Sequence, residues 1–117
     1  MHTASPTLRM TNYKFSDVVP VLFLQPDGER KQRPALAILD TGDDDIVLAP
    51  ITSKERRGRE DCRIKNWKQA SLLSVSWVRL AKVACISKED IVRKLGRLTS
   101  SDTKNVVSVW SRLYKLK

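Results

Sequence analysis

Apolar and polar positions alternate along this chain in short runs, and turn residues separate the runs at close intervals. Asp17 to Leu24, rich in Val, Leu and Phe, reads as a buried strand, with Pro20 arguing for an edge or a bulge. Pro26-Asp27-Gly28 marks a turn, and Glu29 to Gln32 reads as a charged loop beside Arg33. Pro34 to Leu39 and Ile46 to Ser53 read as two strands joined through Asp40-Thr41-Gly42-Asp43-Asp44-Asp45, which predicts a hairpin closed at a Gly/Asp turn. Lys54 to Glu60 is a second charged loop, Cys62 to Ile64 a short strand, and Asn66 is placed to cap a helical turn through Ala70.

The second half continues the pattern. Val75 to Ile86 alternates well enough for one long strand, with Trp77, Arg79, Ala81, Val83 and Cys85 on one face. Ser87-x-x-Asp90 resembles a capping box that starts one helical turn, and Val92 to Leu98 returns as a strand. Behind a second cap, Thr99-x-x-Asp102, the residues Val106, Val107, Trp110, Leu113 and Tyr114 recur at helical spacing. A lone helix on a small sheet must bury such a stripe, so it reads as core. Residues 1–12 carry no periodicity and read as a flexible tail, leaving 13–117 as the folded unit. Strands on short loops with one terminal helix predict a mainly β fold with α, a strongly bent antiparallel sheet or small barrel.

Charge adds a partner to this picture. The 117 residues suffice for one domain, and 22 Lys and Arg against 13 Asp and Glu leave a net charge of +9, which points to a polyanion, nucleic acid first. Cys62 and Cys85 are far apart and His2 is the only histidine, so the spacing indicates no zinc cage, disulfide framework or other metal site. The apolar runs are far shorter than the ~20 residues of a membrane helix. Residues 1–12 lack a secretory apolar segment, so a cytoplasmic protein without cofactor is expected.

Two stretches carry candidate chemistry. Asp40-Thr41-Gly42 behind Ile38-Leu39 is the local pattern of an aspartic protease half-site, yet only four glycines exist and none cluster as a flap requires. A tight turn explains the same residues. The hairpin itself brings Arg33 to the end where Thr52 and Ser53 stand, a guanidinium beside two hydroxyls, which suits a phosphate. The run Lys54, Arg56, Arg57, Arg59, Arg63, Lys65 and Lys68, with Trp67 among them, could hold a nucleic-acid backbone while the ring stacks on a base; a solvated loop, broken by Glu55, Glu60 and Asp61, is the plainer reading of the same charges. Because Arg stays protonated, a proton acceptor has to come from elsewhere, and Glu29 ahead of Arg33 is the candidate.

The motifs Asp17-Val18-Val19, Arg33-Pro34-Ala35-Leu36, Val47 to Ser53, Ser76-Trp77-Val78-Arg79-Leu80 and Lys94 to Leu98 occur in an order that resembles the PemK/MazF family of toxin ribonucleases. That resemblance spans roughly residues 13 to 115 and implies a small SH3-like antiparallel β-barrel with a C-terminal helix. It further implies a homodimer that cuts single-stranded RNA such as mRNA, held in check by an acidic antitoxin protein. In the family the Arg of the Arg-Pro motif and the Thr ending the next strand line the cleavage site, here Arg33 and Thr52, with Ser53 as neighbour and Arg79 carried over from the later strand. Relatives often have an ionisable residue where this chain has Ala81, and a Gly where it has Ser16. A catalytically silent barrel that only binds RNA or protein is the alternative that Ala81 keeps open.

Overall fold

A computed structural model describes residues 12–115, so the predicted tail lies outside the described residues except for Asn12. Strand β1 (Asp17–Leu24) runs inside the sheet, with Val18, Val19, Pro20 and Val21 all buried. It pairs antiparallel with β2 (Arg30–Leu39) along its length. The predicted edge or bulge at Pro20 is not found. Pro20 faces Pro34 across the ladder, and its carbonyl accepts from Val92 N–H on the side away from β2. A strand residue points its N and C=O to the same side, so the missing N–H takes nothing from the β1–β2 ladder.

β2 also begins earlier than the sequence predicts. Arg30 to Gln32 form strand rather than loop, because the turn at Pro26-Asp27-Gly28 folds them back onto Leu22, Phe23 and Leu24. Gly28 takes φ +87° there, and Asp27 Oδ1 accepts from Glu29 N at 2.9 Å. The second turn leads into β3 (Asp45–Thr52), with Gly42 at φ +96° and Asp40 Oδ1 accepting from Gly42 N at 2.8 Å.

β3 is flanked on both sides. β2 lies on one, while β5 (Ser76–Arg79) and β6 (Ala84–Ser87) share the other, and β4 (Asp61–Ile64) pairs with β5. The single long strand predicted over Val75 to Ile86 is broken by a 3-10 turn, Leu80–Lys82. From Ile51 to Leu48, β3 advances three residues while its partner advances six, from Val78 to Ala84. The odd difference reverses the alternation, so Trp77 shares the face of Thr52 and Cys85 does not. Leu80, at the break, is fully buried.

The predicted strand over Val92 to Leu98 shortens to β7 (Gly96–Arg97), which pairs with β1 at Asp17 and Val18. Gly96 permits that path: a Cβ there would lie 2.5 Å from the Ala70 carbonyl oxygen. Ser87 caps the predicted single turn, a 3-10 turn at Lys88–Asp90, by accepting from Glu89 N at 3.2 Å.

Helix α1 (Ser100–Leu113) starts at the predicted cap, Thr99, whose Oγ1 accepts from Asp102 N at 3.2 Å. Its inward face differs from the predicted stripe. Val106 is fully buried and Trp110 packs on the core, but Val107, Leu113 and Tyr114 are exposed, while Asp102 and Val109 turn inward. The Asp102 carboxylate sets this rotation by accepting from Lys65 N at 3.0 Å and Asn66 N at 2.8 Å. Asn66, predicted as a cap, instead donates its side-chain amide to Thr99 Oγ1.

The result is a curled antiparallel sheet, a half-barrel with a C-terminal helix, in agreement with the predicted fold class. Alternation puts one side chain set, including Val18, Leu36, Ile51 and Leu80, under Val106 of α1. The other set, including Val19, Val21, Ala35 and Leu48, forms a second cluster on the opposite face. No helix among the described residues is long and apolar enough to cross a membrane.

Candidate nucleic-acid and catalytic site

The β2–β3 ladder ends at Ala35↔Pro50, next to Pro34, which has no N–H to continue it. Beyond that point the hairpin is open. Continuing that register two residues past its last pair sets Arg33 opposite Thr52 on the face of Ala35 and Leu48, although the two are not themselves paired: Arg33 faces Val21 on β1 and Thr52 faces Trp77 on β5. Arg33 is exposed, and among the described residues its guanidinium has no carboxylate partner. Thr52 Oγ1 accepts from Lys54 N at 3.1 Å. That contact occupies an acceptor position and leaves the hydroxyl proton to donate elsewhere. Ser53 follows, exposed.

The loop after Thr52 keeps its positive charge at the surface. Lys54, Arg57 and Arg59 are exposed, and Arg56 is partly buried. Arg57 Nε lies 3.2 Å from Glu55, but with these side chains 87% and 61% exposed the pair holds the loop only weakly.

Three predicted residues stand differently from the sequence reading. Glu29 sits at the tip of the β1–β2 hairpin, four residues and about 13 Å along the strand from Arg33, so the fold does not bring it to the site. Arg79 Nε lies 3.7 Å from Asp61 Oδ1 across the β4–β5 ladder, so its charge is partly answered within the protein. Trp67 packs against the main core, with Lys68 Nζ 5.5 Å from its ring centroid. The aromatic beside Thr52 is instead Trp77, its direct cross-strand partner, followed by Arg63 on β4. Arg63 already belongs to the basic run of the sequence, but its place opposite Trp77 follows only from the β4–β5 register.

Asp40, the residue of the protease alternative, is a structural anchor. Its side chain is 1% exposed and lies 2.9 Å from Lys88 Nζ, itself 3% exposed, while Tyr13 N donates to Oδ2 at 2.7 Å. Burial by itself would raise the Asp40 pKa, but Lys88 and the two backbone N–H donors, Tyr13 and Gly42, outweigh it and hold the carboxyl below the usual range. Tyr13 is pushed up, by burial first and then by the Asp40 and Asp17 charges. A carboxylate committed to a lysine and two amides is a hinge of the turn.

Solved structures share this architecture. A mycobacterial endoribonuclease in complex with its cognate antitoxin superposes with a TM-score of 0.70 at 14% identity, over 88% of this chain and 95% of that one. Mycobacterium tuberculosis toxin MazF-mt6 gives 0.66 at 22% identity, covering 84% and 98%. The MazE-MazF structure from Deinococcus radiodurans gives 0.69 at 13% identity, covering 92% and 99%. At these identities the likeness establishes the fold alone. No curated protein matches the sequence significantly. The family itself is shown by the sequence, since residues 14–112, nearly all of the described fold, match one family's pattern: the chain belongs to the PemK-like, MazF-like toxins of type II toxin-antitoxin systems.

Proposed function

We propose that this toxin is an endoribonuclease that cuts single-stranded RNA without a metal, by attack of a ribose 2′-hydroxyl on the adjacent phosphate. The reading is carried by the hairpin register, which when continued past Ala35↔Pro50 sets Arg33 opposite Thr52 beside a basic loop. As the O2′–P bond forms, negative charge builds on the nonbridging oxygens. A guanidinium free of carboxylates can hold two of those oxygens in its planar fork, and the Thr52 hydroxyl can donate to one of them. The P–O5′ bond then breaks, leaving a 2′,3′-cyclic phosphate and a 5′-hydroxyl. Glu29 stands about 13 Å along the strand from Arg33 and Ala81 has no ionisable group; in this reading water takes the 2′-proton and returns one to the leaving 5′-oxygen.

The test is cleavage of a long unstructured RNA, with the new ends identified chemically. Arg33→Ala is expected to slow cleavage by roughly 10² to 10³, the scale of losing one transition-state donor, and Thr52→Val by less. Cutting at a position whose sugar is deoxyribose, or full inhibition by a chelator, would refute the mechanism. RNA binding with no cutting would support the silent-barrel alternative, for which the exposed Ala81 is the supporting feature. Like its structural neighbours described with antitoxins, the chain is proposed to be restrained by an acidic antitoxin segment lying on the basic loop. It is further proposed to work as a homodimer, which a sedimentation mass of only 13.3 kDa at micromolar concentration would contradict.

A further inference from the structure

Three side chains on one face, Thr52, Trp77 and Arg63, line up across paired strands, and continued register adds Arg33 to the row. Trp77 on β5 is paired with Thr52 on one side and with Arg63 on the other, and Arg33 stands level with Thr52 by register. With neighbouring strands about 4.8 Å apart, the row spans three intervals, about 14 Å. It reads guanidinium, hydroxyl, indole, guanidinium.

The indole belongs to neither core cluster. Trp67 and Trp110 pack on the main core, whereas Trp77 is only partly buried. Among the described residues its side chain has no hydrogen bond, ring contact or cation over its face. Arg63 is exposed and, within the same residues, has no carboxylate partner, in contrast to Arg79 beside Asp61. A large ring partly accessible between a phosphate-sized site and an unanswered positive charge has the composition of a single-strand track. Every base offers a π face for stacking, and the flanking guanidinium can take the backbone phosphate.

We infer that Trp77 is the platform on which an RNA base stacks, next to the phosphate held by Arg33 and Thr52, and that Arg63 holds the backbone on the far side of that base. This rests on the RNA-cleaving reading of the site. The row gives the strand a direction across the sheet, perpendicular to β3, and places the stacked nucleotide one strand away from the reacting phosphate. Stacking tolerates any base, so Trp77 adds affinity and position while leaving the choice of cleaved sequence to other contacts.

The experiment uses the full chain and a short single-stranded RNA of mixed sequence with 2′-O-methyl sugars, which blocks internal attack. Trp77→Ala is expected to weaken binding by about 10- to 100-fold, the range for loss of one aromatic stack, while Trp77→Phe retains most of the affinity. RNA should quench tryptophan fluorescence in the unsubstituted chain and lose most of that quenching in Trp77→Phe, a readout that stands even if Trp77→Ala fails to fold. Arg63→Gln should flatten the dependence of log affinity on log salt by roughly 0.7, one phosphate on a single strand. Undiminished affinity in folded Trp77→Ala, or undiminished quenching in Trp77→Phe, overturns the platform while leaving the Arg33 and Thr52 chemistry intact. An unsubstituted chain that binds no RNA overturns both.

Discussion

Asp40→Asn tests the buried ion pair that anchors the β2–β3 turn. The change removes the charge opposite Lys88 Nζ, 2.9 Å away, where the two side chains are 1% and 3% exposed. Breaking a buried pair from one side costs about 3–5 kcal/mol, because the remaining ion keeps its desolvation penalty without its partner. Domains of this kind have about 5–15 kcal/mol of stability in total, so the loss is a large fraction. At roughly 4 °C per kcal/mol, the melting temperature should drop by about 12–20 °C. Circular dichroism during heating and in urea measures this directly. The pH dependence supplies a second arm. The folded-state pKa of Asp40 is depressed, so its contribution is fully present above the unfolded value near 3.9 and is lost as pH falls through the lower folded value. The variant lacks that titration, and the gap between the two proteins should therefore narrow in acid. Adding Lys88→Met to Asp40→Asn should recover part of the loss by removing the stranded ammonium. A loss below ~1 kcal/mol, or a gap that widens as pH falls, would refute the anchoring role. RNA cleavage by the variant should survive below its melting temperature, whereas a protease built on Asp40 would lose all activity.

Ser16 is buried at φ +82°, where the family favours Gly, and its hydroxyl lies 2.7 Å from Thr103 Oγ1. Ser16→Gly relieves strain of about 1 kcal/mol and loses a hydrogen bond of similar worth, while Ser16→Ala keeps the strain and loses the bond; denaturant midpoints should rank Gly near wild type and Ala lower, and equal midpoints would contradict this. Asp102→Ala leaves the Lys65 and Asn66 N–H groups without their acceptor and should destabilise by about 2–5 kcal/mol in the same assay, with Asp102→Asn milder because one carbonyl oxygen remains. Charge reversal at Arg57 and Arg59 should weaken RNA binding and flatten its salt dependence without abolishing cleavage at high protein concentration; an unchanged salt slope would reduce the loop to a solvated face.

Local chemistry carries much of the fold. The Val-rich apolar run in 17–24, the Pro26-Asp27-Gly28 turn, the Asp/Gly turn after Leu39 and the Thr99-x-x-Asp102 cap each specify conformation within a few residues, and all appear where the sequence places them. The hairpin that carries Arg33 and Thr52 is legible too, because the Asp/Gly turn and its two flanking apolar runs specify it locally, and its ladder reaches Ala35↔Pro50. Longer-range facts are not. A period of two identifies a strand without naming its neighbour, so Pro20 looks like an edge residue until Pro34 and Val92 are seen on either side. The 75–86 alternation likewise hides the three residues looped out at Leu80, and with them the reversal that turns Trp77 toward Thr52. Helix phase is decided by Asp102 reaching Lys65 and Asn66, residues about 36 positions earlier in the chain, which no local periodicity encodes. The sheet's pairing also sends Glu29 to a hairpin tip, buries one side of Trp67 and leaves Arg63 in the row with Thr52. Residue types and turns follow from contacts a few positions apart; the identity of the site's neighbours follows from strand register, which is settled only when distant segments compete to bury their apolar faces.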